Sequence, residues 1–218
     1  MANMMDHAKV ISVKNALRHG DIFTRLSAVI MGAGNICRKQ IVKGLLYLAA
    51  EILFIAFMVV SGVGLLGGLT TLGTNEGGEV FNEAAQVYEY TSGDNSMLIL
   101  LYGILAIIAV IAFVLLWRSS LKSAYQAQLL QQEGKAVPNF RQDLAALLDQ
   151  NLHKTLLAGP IVCIIAFTIL PLVFMASIAF TNYDRNHQPP GKLFDWVGFS
   201  NFGKLLDSSS GLGTALWH

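Results

Sequence analysis

Residues 97–117 read MLILLYGILAIIAVIAFVLLW and contain no charged side chain. A helix needs about 20 consecutive apolar residues to cross the hydrocarbon core of a bilayer, because each residue advances the helix by about 1.5 Å. Two further stretches meet this requirement, at residues 44–68 and 156–180. The sequence therefore predicts an all-α integral membrane protein with three transmembrane helices, accompanied by short amphipathic helices.

The composition of the whole chain agrees with a membrane protein. Of its 218 residues, 54% are hydrophobic and 13% are charged, whereas an average soluble domain is about 25% charged. The formal net charge of +1, without a dense basic run, argues against a nucleic-acid partner. The two cysteines, Cys37 and Cys163, provide neither a disulfide framework nor a CxxC site.

The basic residues are distributed unevenly between the segments that flank the three apolar stretches. Seven lie in residues 1–43, none in 69–96, five in 118–155 and three in 181–218. Loop 69–96 carries five acids instead. Because basic flanking segments stay on the cytoplasmic side of the membrane, this pattern predicts a cytoplasmic N-terminus, an extracellular acidic loop, a cytoplasmic second loop and an extracellular tail.

Two of these flanking segments show helical periodicity. Residues 8–31 combine apolar and basic side chains at roughly helical spacing, interrupted at Gly20. Either an amphipathic helix on the membrane surface or a partly ordered polar tail would explain this pattern. In the acidic loop, one short amphipathic helix is predicted by apolar residues at i, i+3, i+4 and i+7. They are Phe81, Ala84, Ala85 and Tyr88.

The second loop is predicted to begin as a continuation of the second transmembrane helix, through Gln132. Gly134 and Pro138 then interrupt the helix. A further helix is predicted from about Asn139, a residue type that caps helix N-termini. Its apolar face comprises Leu144, Leu147, Leu148 and Leu152.

Glu51 is the one ionisable residue inside the predicted transmembrane helices. A charge at this depth costs a few kcal/mol, about 3 on insertion scales, so such residues usually face protein or water. A proton- or ion-coupling carboxylate is one interpretation, and a carboxyl bonded to a neighbouring helix is the other. No second carboxylate, His or Lys lies in these helices, which favours the structural interpretation.

Pro160 and Pro171 lie in the third apolar stretch and are predicted helix kinks. Pro160 follows Gly159 and is expected near the first turn, where proline is tolerated. Pro171 lies in the middle of the stretch, where it removes one backbone hydrogen bond. Kinked helices occur in transporters, but also in many passive membrane proteins.

The sequence shows no catalytic constellation. The five histidines form no metal-ligand spacing, and neither a GxSxG elbow nor a P-loop occurs. We therefore expect no enzymatic activity, no catalytic residues, and no cofactor or metal in this chain. If the protein moves a substrate, another polypeptide must supply the energy.

The third stretch and the residues after it carry a family resemblance. The segments ILPLVFMASIAFTNYD, ending at Asp184, and LFDWVGFSNFGKLL, starting at Leu193, resemble the MalF-like permease subunit of maltose/maltodextrin-type ABC importers. The segment MGAGNICRKQIVKGLLYLAAEILFIAF, which includes Glu51, also looks like the N-terminal extension of that family. The resemblance covers essentially the whole chain.

The resemblance implies a division of the chain into five segments. They are a cytoplasmic basic and amphipathic segment (1-43), two peripheral transmembrane helices (44-117) around the outer loop 69-96, a cytoplasmic helical loop (118-155), the first core transmembrane helix (156-180) and an extracellular loop (181-218).

The resemblance also implies a function in sugar import by ATP-driven alternating access. The partners would be a second, MalG-like permease subunit, a cytoplasmic ABC ATPase dimer that holds the ATP and magnesium, and an extracellular sugar-binding protein. The substrate would be an oligosaccharide. Tyr183, Asp184, Trp196 and Phe199 would form part of the docking surface for the binding protein, although aromatic residues also lie at membrane interfaces for reasons of lipid contact alone.

Two features depart from the family pattern. About a dozen residues separate Asp184 from Trp196, where the Gram-negative members carry a folded domain, so the chain is similar to the Gram-positive members. The sequence ends at His218, before the sugar path and the ATPase-docking loop, and is expected to be the N-terminal part of a permease.

A stand-alone three-span scaffold or regulatory protein is the main alternative function. A membrane enzyme or an ion-coupled secondary transporter is less well supported.

Overall fold

The computed structural model describes residues 10–83, 86–149, 152–189 and 191–207. Three of its helical segments are long and apolar enough to cross a membrane, which confirms the predicted number. They are span 1 (Ile41–Thr71), span 2 (Ser96–Gln132) and span 3 (Thr155–Ile178).

Within the described residues, three short helices precede span 1, named α1 (Val13–His19), α2 (Ile22–Leu26) and α3 (Ala33–Cys37). The side chains of Ser12 and Asp21 accept hydrogen bonds from backbone N–H groups in the first turns of α1 and α2, so both helices start at conventional N-caps. Gly20 ends α1. The N-terminal segment is therefore helical on both sides of Gly20, which favours the helical interpretation of residues 8–31 over a partly ordered polar tail.

The remaining helices follow in chain order. Span 1 consists of α4 (Ile41–Phe57), a π-helical turn (Met58–Gly62) and α5 (Val63–Thr71). Span 2 is the continuous helix α6 (Ser96–Gln132). Then come α7 (Phe140–Leu148), α8 (Leu152–Ile164), a second π-helical turn (Ile165–Ile169), α9 (Leu170–Ile178) and α10 (Ser200–Leu206).

The chain divides into two compact units. The first is formed by Met1–Val60 with Ile108–Pro160, and the second by Ser61–Ile107 with Ile161–His218.

In the first unit, α1 packs on the C-terminal half of α6. The centre of this contact consists of Ala16, Leu121 and Tyr125, all fully or almost fully buried. Farther along α6, the ring of Phe113 stacks on that of Phe54 in α4, with their centroids 3.9 Å apart. The N-terminal segment is thus an ordered layer on α6, because its apolar side chains have a helical surface to cover.

The predicted break after span 2 is confirmed, and so is the start of the helix beyond it. That helix ends at Leu148, so the placement of Leu152 on its apolar face is wrong, and Leu152 begins α8 instead. Gly134 has a positive φ of 69°, a conformation that suits glycine and ends the helix. Asn139 caps α7 in a reciprocal capping box with Gln142, in which each side chain accepts a hydrogen bond from the other residue's backbone N–H.

In span 3, the two prolines differ in their placement. Pro171 stands in the first turn of α9, directly after the π-helical turn. A π-helical turn is one of the recognised causes of helix bending, as is proline. The expectation that Pro160 begins the helix is wrong, since it lies inside α8, which starts at Leu152. The residues before Pro160 are mostly good helix formers, so the helix continues to it at the cost of one backbone hydrogen bond.

The predicted helix in the acidic loop is wrong. Strands β1 (Gly78–Asn82) and β2 (Val87–Thr91) pair there in an antiparallel hairpin. Phe81 and Tyr88 face each other in the register, with ring centroids 5.1 Å apart. Such aromatic cross-strand pairs stabilise a hairpin, and the i, i+7 spacing of these two residues fits that pairing as well as it fits a helix. Ala84 and Ala85 lie outside the described residues.

In the second unit, Asp94 closes the base of this hairpin. Its carboxylate accepts hydrogen bonds from the backbone N–H groups of Thr74, at 2.8 Å, and Asn75, at 3.0 Å. These two bonds lower the pKa of the Asp94 carboxyl below its ordinary value. The carboxylate therefore remains charged and bonded at neutral pH.

The close approach of Gly44 to the segment before it predicts a stability effect. A Cβ on Gly44 would collide with Ile36 Cγ1 and would lie 2.7 Å from the carbonyl oxygen of Gly32. We expect Gly44→Ala to destabilise the chain by about 1–3 kcal/mol, because the loop and α4 must move apart. Thermal unfolding in detergent micelles measures this effect. The control is Gly64→Ala, where an added Cβ meets nothing within 4 Å; equal melting temperatures for the two variants would contradict the prediction.

Candidate functional site

The carboxylate of Glu51 is bonded to the N-terminal segment. Its Oε2 accepts a hydrogen bond from the backbone N–H of Met31 at 2.9 Å, and Met31 is fully buried. Among the described residues, no cationic side chain and no second carboxylate pairs with Glu51. The structure thus places this acid at a backbone contact rather than in a chain of titratable groups.

Side chains of span 2 bind the same turn between α2 and α3. The backbone N–H of Gly32 donates to Ser120 Oγ at 3.0 Å, and Trp117 Nε1 donates to the carbonyl of Ala28 at 2.9 Å. Gly32 has a φ of 83°, and a Cβ there would collide with the backbone of Gly44. The turn therefore uses glycine both for its backbone conformation and for its close approach to α4.

Arg38 is the centre of a polar cluster behind this turn. Its side chain is 3% exposed, and its Nη2 lies 2.7 and 2.6 Å from the two carboxylate oxygens of Asp21. The guanidinium also donates to Thr24 Oγ1 at 2.9 Å and to the carbonyls of Gly34, at 2.9 Å, and Ala124, at 3.3 Å. Arginine suits this position because its planar fork can reach several acceptors at once.

Asp21 is charged within this cluster. Partial burial raises the pKa of its carboxyl, but hydrogen bonds from the Thr24 backbone and from Arg38 outweigh burial, so its pKa lies below the ordinary value. Gln128 of span 2 completes the arrangement, since its Oε1 accepts from the Asp21 backbone N–H and from Thr24 Oγ1, both at 2.9 Å. The first unit thus joins α2, α3 and α6 through one network of polar groups.

Asn35 and Gln40 extend the network toward the second loop. Asn35 Nδ2 donates to Gln40 Oε1 at 2.7 Å and to Ser123 Oγ at 2.9 Å. Gln40 Nε2 donates to the carbonyl of Pro138 at 2.7 Å. Asn35 Oδ1 is buried without a partner among the described residues, and such an atom costs stability.

In the second unit, the two segments that carry the family resemblance, one ending at Asp184 and one starting at Leu193, pair with each other. Thr181 and Trp196 form an antiparallel bridge, and the carbonyl of Phe180 accepts from the backbone N–H groups of Val197, at 2.8 Å, and Gly198, at 3.0 Å. Gly198 has a φ of 58°. We name residues 180–189 and 191–202 the aromatic loop. Some residues of the two segments thus have a structural role, because they fold the aromatic loop back on the end of span 3.

Asn201 and Phe194 stabilise the aromatic loop from inside. Asn201 Nδ2 donates to the carbonyls of Ala179, at 3.0 Å, and Thr181, at 2.7 Å. Phe194 is fully buried, and its backbone N–H donates to Ser96 Oγ at 3.2 Å. The two bonds from Asn201 satisfy backbone carbonyls that follow the end of span 3, where helical donors are missing.

The four residues proposed for docking have different surroundings. Trp196 Nε1 donates to the carbonyl of Leu69 at 2.6 Å, and the Tyr183 ring packs edge-on against Phe194, with centroids 5.6 Å apart. Phe199 is 75% exposed, although its ring contacts Phe180. Phe199 therefore presents the largest free aromatic surface of the four.

Asp184 closes a turn within the aromatic loop. Its Oδ1 lies 2.7 Å from Nδ1 of His187 and accepts from the backbone N–H groups of Asn186, at 2.8 Å, and His187, at 3.0 Å. The side-chain bond with His187 and these backbone bonds hold the pKa of Asp184 below its ordinary value.

Several residues with structural roles were not singled out by the sequence. Asn182, whose Oδ1 accepts a hydrogen bond from the Asp195 backbone N–H at 2.6 Å, and Asn201 both lie inside the segments that carry the family resemblance, which was the signal available for them. Asp21 follows Gly20 and precedes an apolar turn, which is an N-cap pattern. Arg38 and Gln128 carry no local pattern, because Asp21 and Thr24, with which both interact, are not their neighbours in the sequence. Within the described residues, no group of three or more His, Cys, Asp or Glu side chains could hold a metal ion.

Permease proteins of maltodextrin and galactooligosaccharide transport systems are similar to this chain over most of its length. The chain is 33% identical over 186 residues to the maltodextrin transport system permease protein MalC of Streptococcus pneumoniae, a match that covers 85% of the chain and 39% of that protein. It is 30% identical over 178 residues to the maltodextrin transport system permease protein MdxF of Bacillus subtilis, covering 81% of the chain and 38% of that protein.

The galactooligosaccharides transport system permease protein GanP of Bacillus subtilis is 29% identical over 192 residues, covering 87% of the chain and 42% of that protein. The chain thus spans about two fifths of the length of these relatives. No family model and no solved structure matches it. The similarities confirm the resemblance to permeases of this type that the motif segments indicate.

Loss of the Arg38 guanidinium is expected to destabilise the first unit. Arg38→Met leaves two buried carbonyls and the Asp21 carboxylate without their donor, which we expect to cost about 2–3 kcal/mol. This is below the cost for a fully buried pair because the Asp21 side chain is 40% exposed and can be hydrated. Thermal unfolding in detergent measures the loss.

The neighbouring substitution Lys39→Asn is the matched control. It also removes one positive charge, but Lys39 is exposed and has a φ of 65°, a conformation that asparagine adopts readily. If Lys39→Asn lowers the melting temperature as much as Arg38→Met does, the cluster around Arg38 has no special role in stability.

Proposed function

We propose that this chain is the N-terminal portion of a permease subunit of a binding-protein-dependent ABC importer for maltodextrin or a related oligosaccharide. The observation that carries the proposal is its 33% identity to a maltodextrin transport permease over 85% of the chain. Three apolar spans and relatives from Gram-positive bacteria make it a multi-pass protein of the cell membrane.

The mechanism that we propose is alternating access driven by ATP hydrolysis on a separate ATPase. Spans 1 and 2 would lie at the periphery of the permease, and span 3 would be its first core helix. The π-helical turn followed by Pro171 supports this assignment, since both interrupt regular helical hydrogen bonding at one level of span 3. A helix weakened at one level can bend there when the permease changes its conformation.

The partners would be a second permease subunit, an ATPase dimer and a sugar-binding protein. We propose that the aromatic loop forms part of the surface for the binding protein. Phe199 supports this role through its exposed ring, whereas Trp196 and Asp184 are also engaged in contacts within the chain. Glu51 would then have a packing role, in which it holds the N-terminal segment against span 1.

Uptake measurements in the source organism test the proposal. Deletion of the gene for this chain should abolish uptake of radiolabelled maltodextrins or galactooligosaccharides, and a plasmid copy should restore it. Glucose uptake serves as the control and should remain unchanged. Undiminished uptake of both oligosaccharide classes in the deletion strain would contradict the proposal and favour a scaffold or regulatory role.

The energy source separates an ABC importer from an ion-coupled carrier. Uptake should stop when cellular ATP is depleted, and it should continue when an ionophore collapses the ion gradients while ATP is maintained. The opposite pattern would indicate a secondary transporter.

Cys37 provides a test of the proposed orientation. It is exposed at the end of α3, on the segment that the positive-inside rule assigns to the cytoplasm. In a Cys163→Ser background, a membrane-impermeant maleimide should label Cys37 in permeabilised cells but not in intact cells. The control places a single cysteine in the hairpin by Glu89→Cys, which should be labelled in intact cells. Labelling of Cys37 in intact cells would reverse the orientation.

A further inference from the structure

The first unit contains an open cleft between span 1 and span 2. Its volume is about 460 Å³, within the range of about 300–1,000 Å³ found for small-ligand sites. Span 1 contributes Lys43 and Tyr47, and span 2 contributes Arg118, Ser119 and Lys122. Lys43 and Tyr47 are four positions apart in span 1, and Arg118 and Lys122 are four positions apart in span 2, so each pair lies on one face of its helix.

Tyr47 and Ser119 line the cleft, and their hydroxyl groups lie 3.1 Å apart and connect the two helices. Around them are three basic side chains and no acidic one. Lys43 is paired with Asp143 at 3.0 Å. Arg118 and Lys122 have no acidic partner among the described residues, so their charges are available to a ligand.

The level of the cleft along the helices is that of a membrane surface. Lys43 immediately precedes the apolar stretch of span 1, and Arg118 immediately follows the apolar stretch of span 2. Trp117, next to Arg118, is of the residue type that marks membrane–water interfaces. The three basic groups are therefore at the depth of lipid headgroups.

We propose that this cleft binds the headgroup of an anionic phospholipid. The phosphodiester would lie between Arg118 and Lys122, and whichever of the Tyr47 and Ser119 hydroxyls accepts in their mutual hydrogen bond would donate its own proton to a phosphate oxygen. Basic clefts between transmembrane helices are suited to anionic headgroups because the cations and the phosphate meet where little water screens them.

Two apolar side chains favour a lipid over a free phosphate ion. Leu115 and Ile11 also line the cleft, and they are 61% and 42% exposed. Leu115 lies one helical turn from Ser119, toward the apolar stretch of span 2, so an acyl chain leaving the headgroup would pass over it. A free phosphate ion has no apolar part that could contact these two side chains.

Native mass spectrometry of the full 218-residue chain, released from mixed micelles, tests the proposal. The probes are phosphatidylglycerol and phosphatidylcholine in equal amounts. We expect the chain to retain phosphatidylglycerol preferentially. Each basic side chain beside an anionic lipid strengthens binding about fivefold, so Arg118→Gln/Lys122→Gln should weaken phosphatidylglycerol retention roughly 25-fold.

The control variant is Arg18→Gln/Lys135→Gln, which removes one arginine and one lysine outside the cleft. Both of these side chains are exposed. This variant should retain phosphatidylglycerol like the unmodified chain. The two single variants, Arg118→Gln and Lys122→Gln, should each show an intermediate loss, and unchanged circular dichroism confirms that the variants fold.

Three outcomes would overturn the proposal. They are equal retention of the two lipids by the unmodified chain, an equal loss in the cleft variant and the control variant, and displacement of the lipid by millimolar inorganic phosphate. The last result would assign the cleft to a soluble phosphate compound.

Discussion

The buried guanidinium of Arg38 is the interaction on which the first unit depends. It joins the N-cap of α2, the backbone of α3 and the backbone of span 2 through hydrogen bonds to Asp21, Gly34 and Ala124. A buried arginine without such partners would be very costly, because its charge is removed from water. The three short helices have few other ways of being fixed, since each has fewer than eight residues and would not be stable alone.

The arrangement explains why a carboxylate is acceptable at the position of Glu51. The N-terminal segment brings the backbone N–H of Met31 to the side of span 1, and Glu51 accepts that hydrogen bond. Trp117 and Ser120 hold neighbouring parts of the same turn. The acid is therefore one of three side chains that satisfy backbone groups of the turn, a requirement that becomes strict wherever water is scarce.

In the second unit, too, hydrogen bonds satisfy backbone groups outside the helices and hold a loop in place, but fewer charged side chains take part. Where span 3 ends, the carbonyl of Phe180 and the side chain of Asn201 replace the missing helical bonds and fold the aromatic loop back on the helix end. Trp196 is oriented by its bond to the carbonyl of Leu69, which leaves Phe199 as the most exposed aromatic ring of the motif. An internal scaffold of this kind allows one side of a loop to be rigid while the other contacts a partner.

The sequence by itself determined the three spans, the break at Gly134 and the cap at Asn139, because length, hydropathy and capping chemistry are local properties. It could not distinguish a hairpin from a helix at Phe81 and Tyr88, since both structures bring these two residues to one side. Nor could it pair Arg38 with Asp21 or bring Lys43 and Arg118 to one cleft. Those contacts join residues that are far apart in the chain, so only the tertiary packing of the helices decided them.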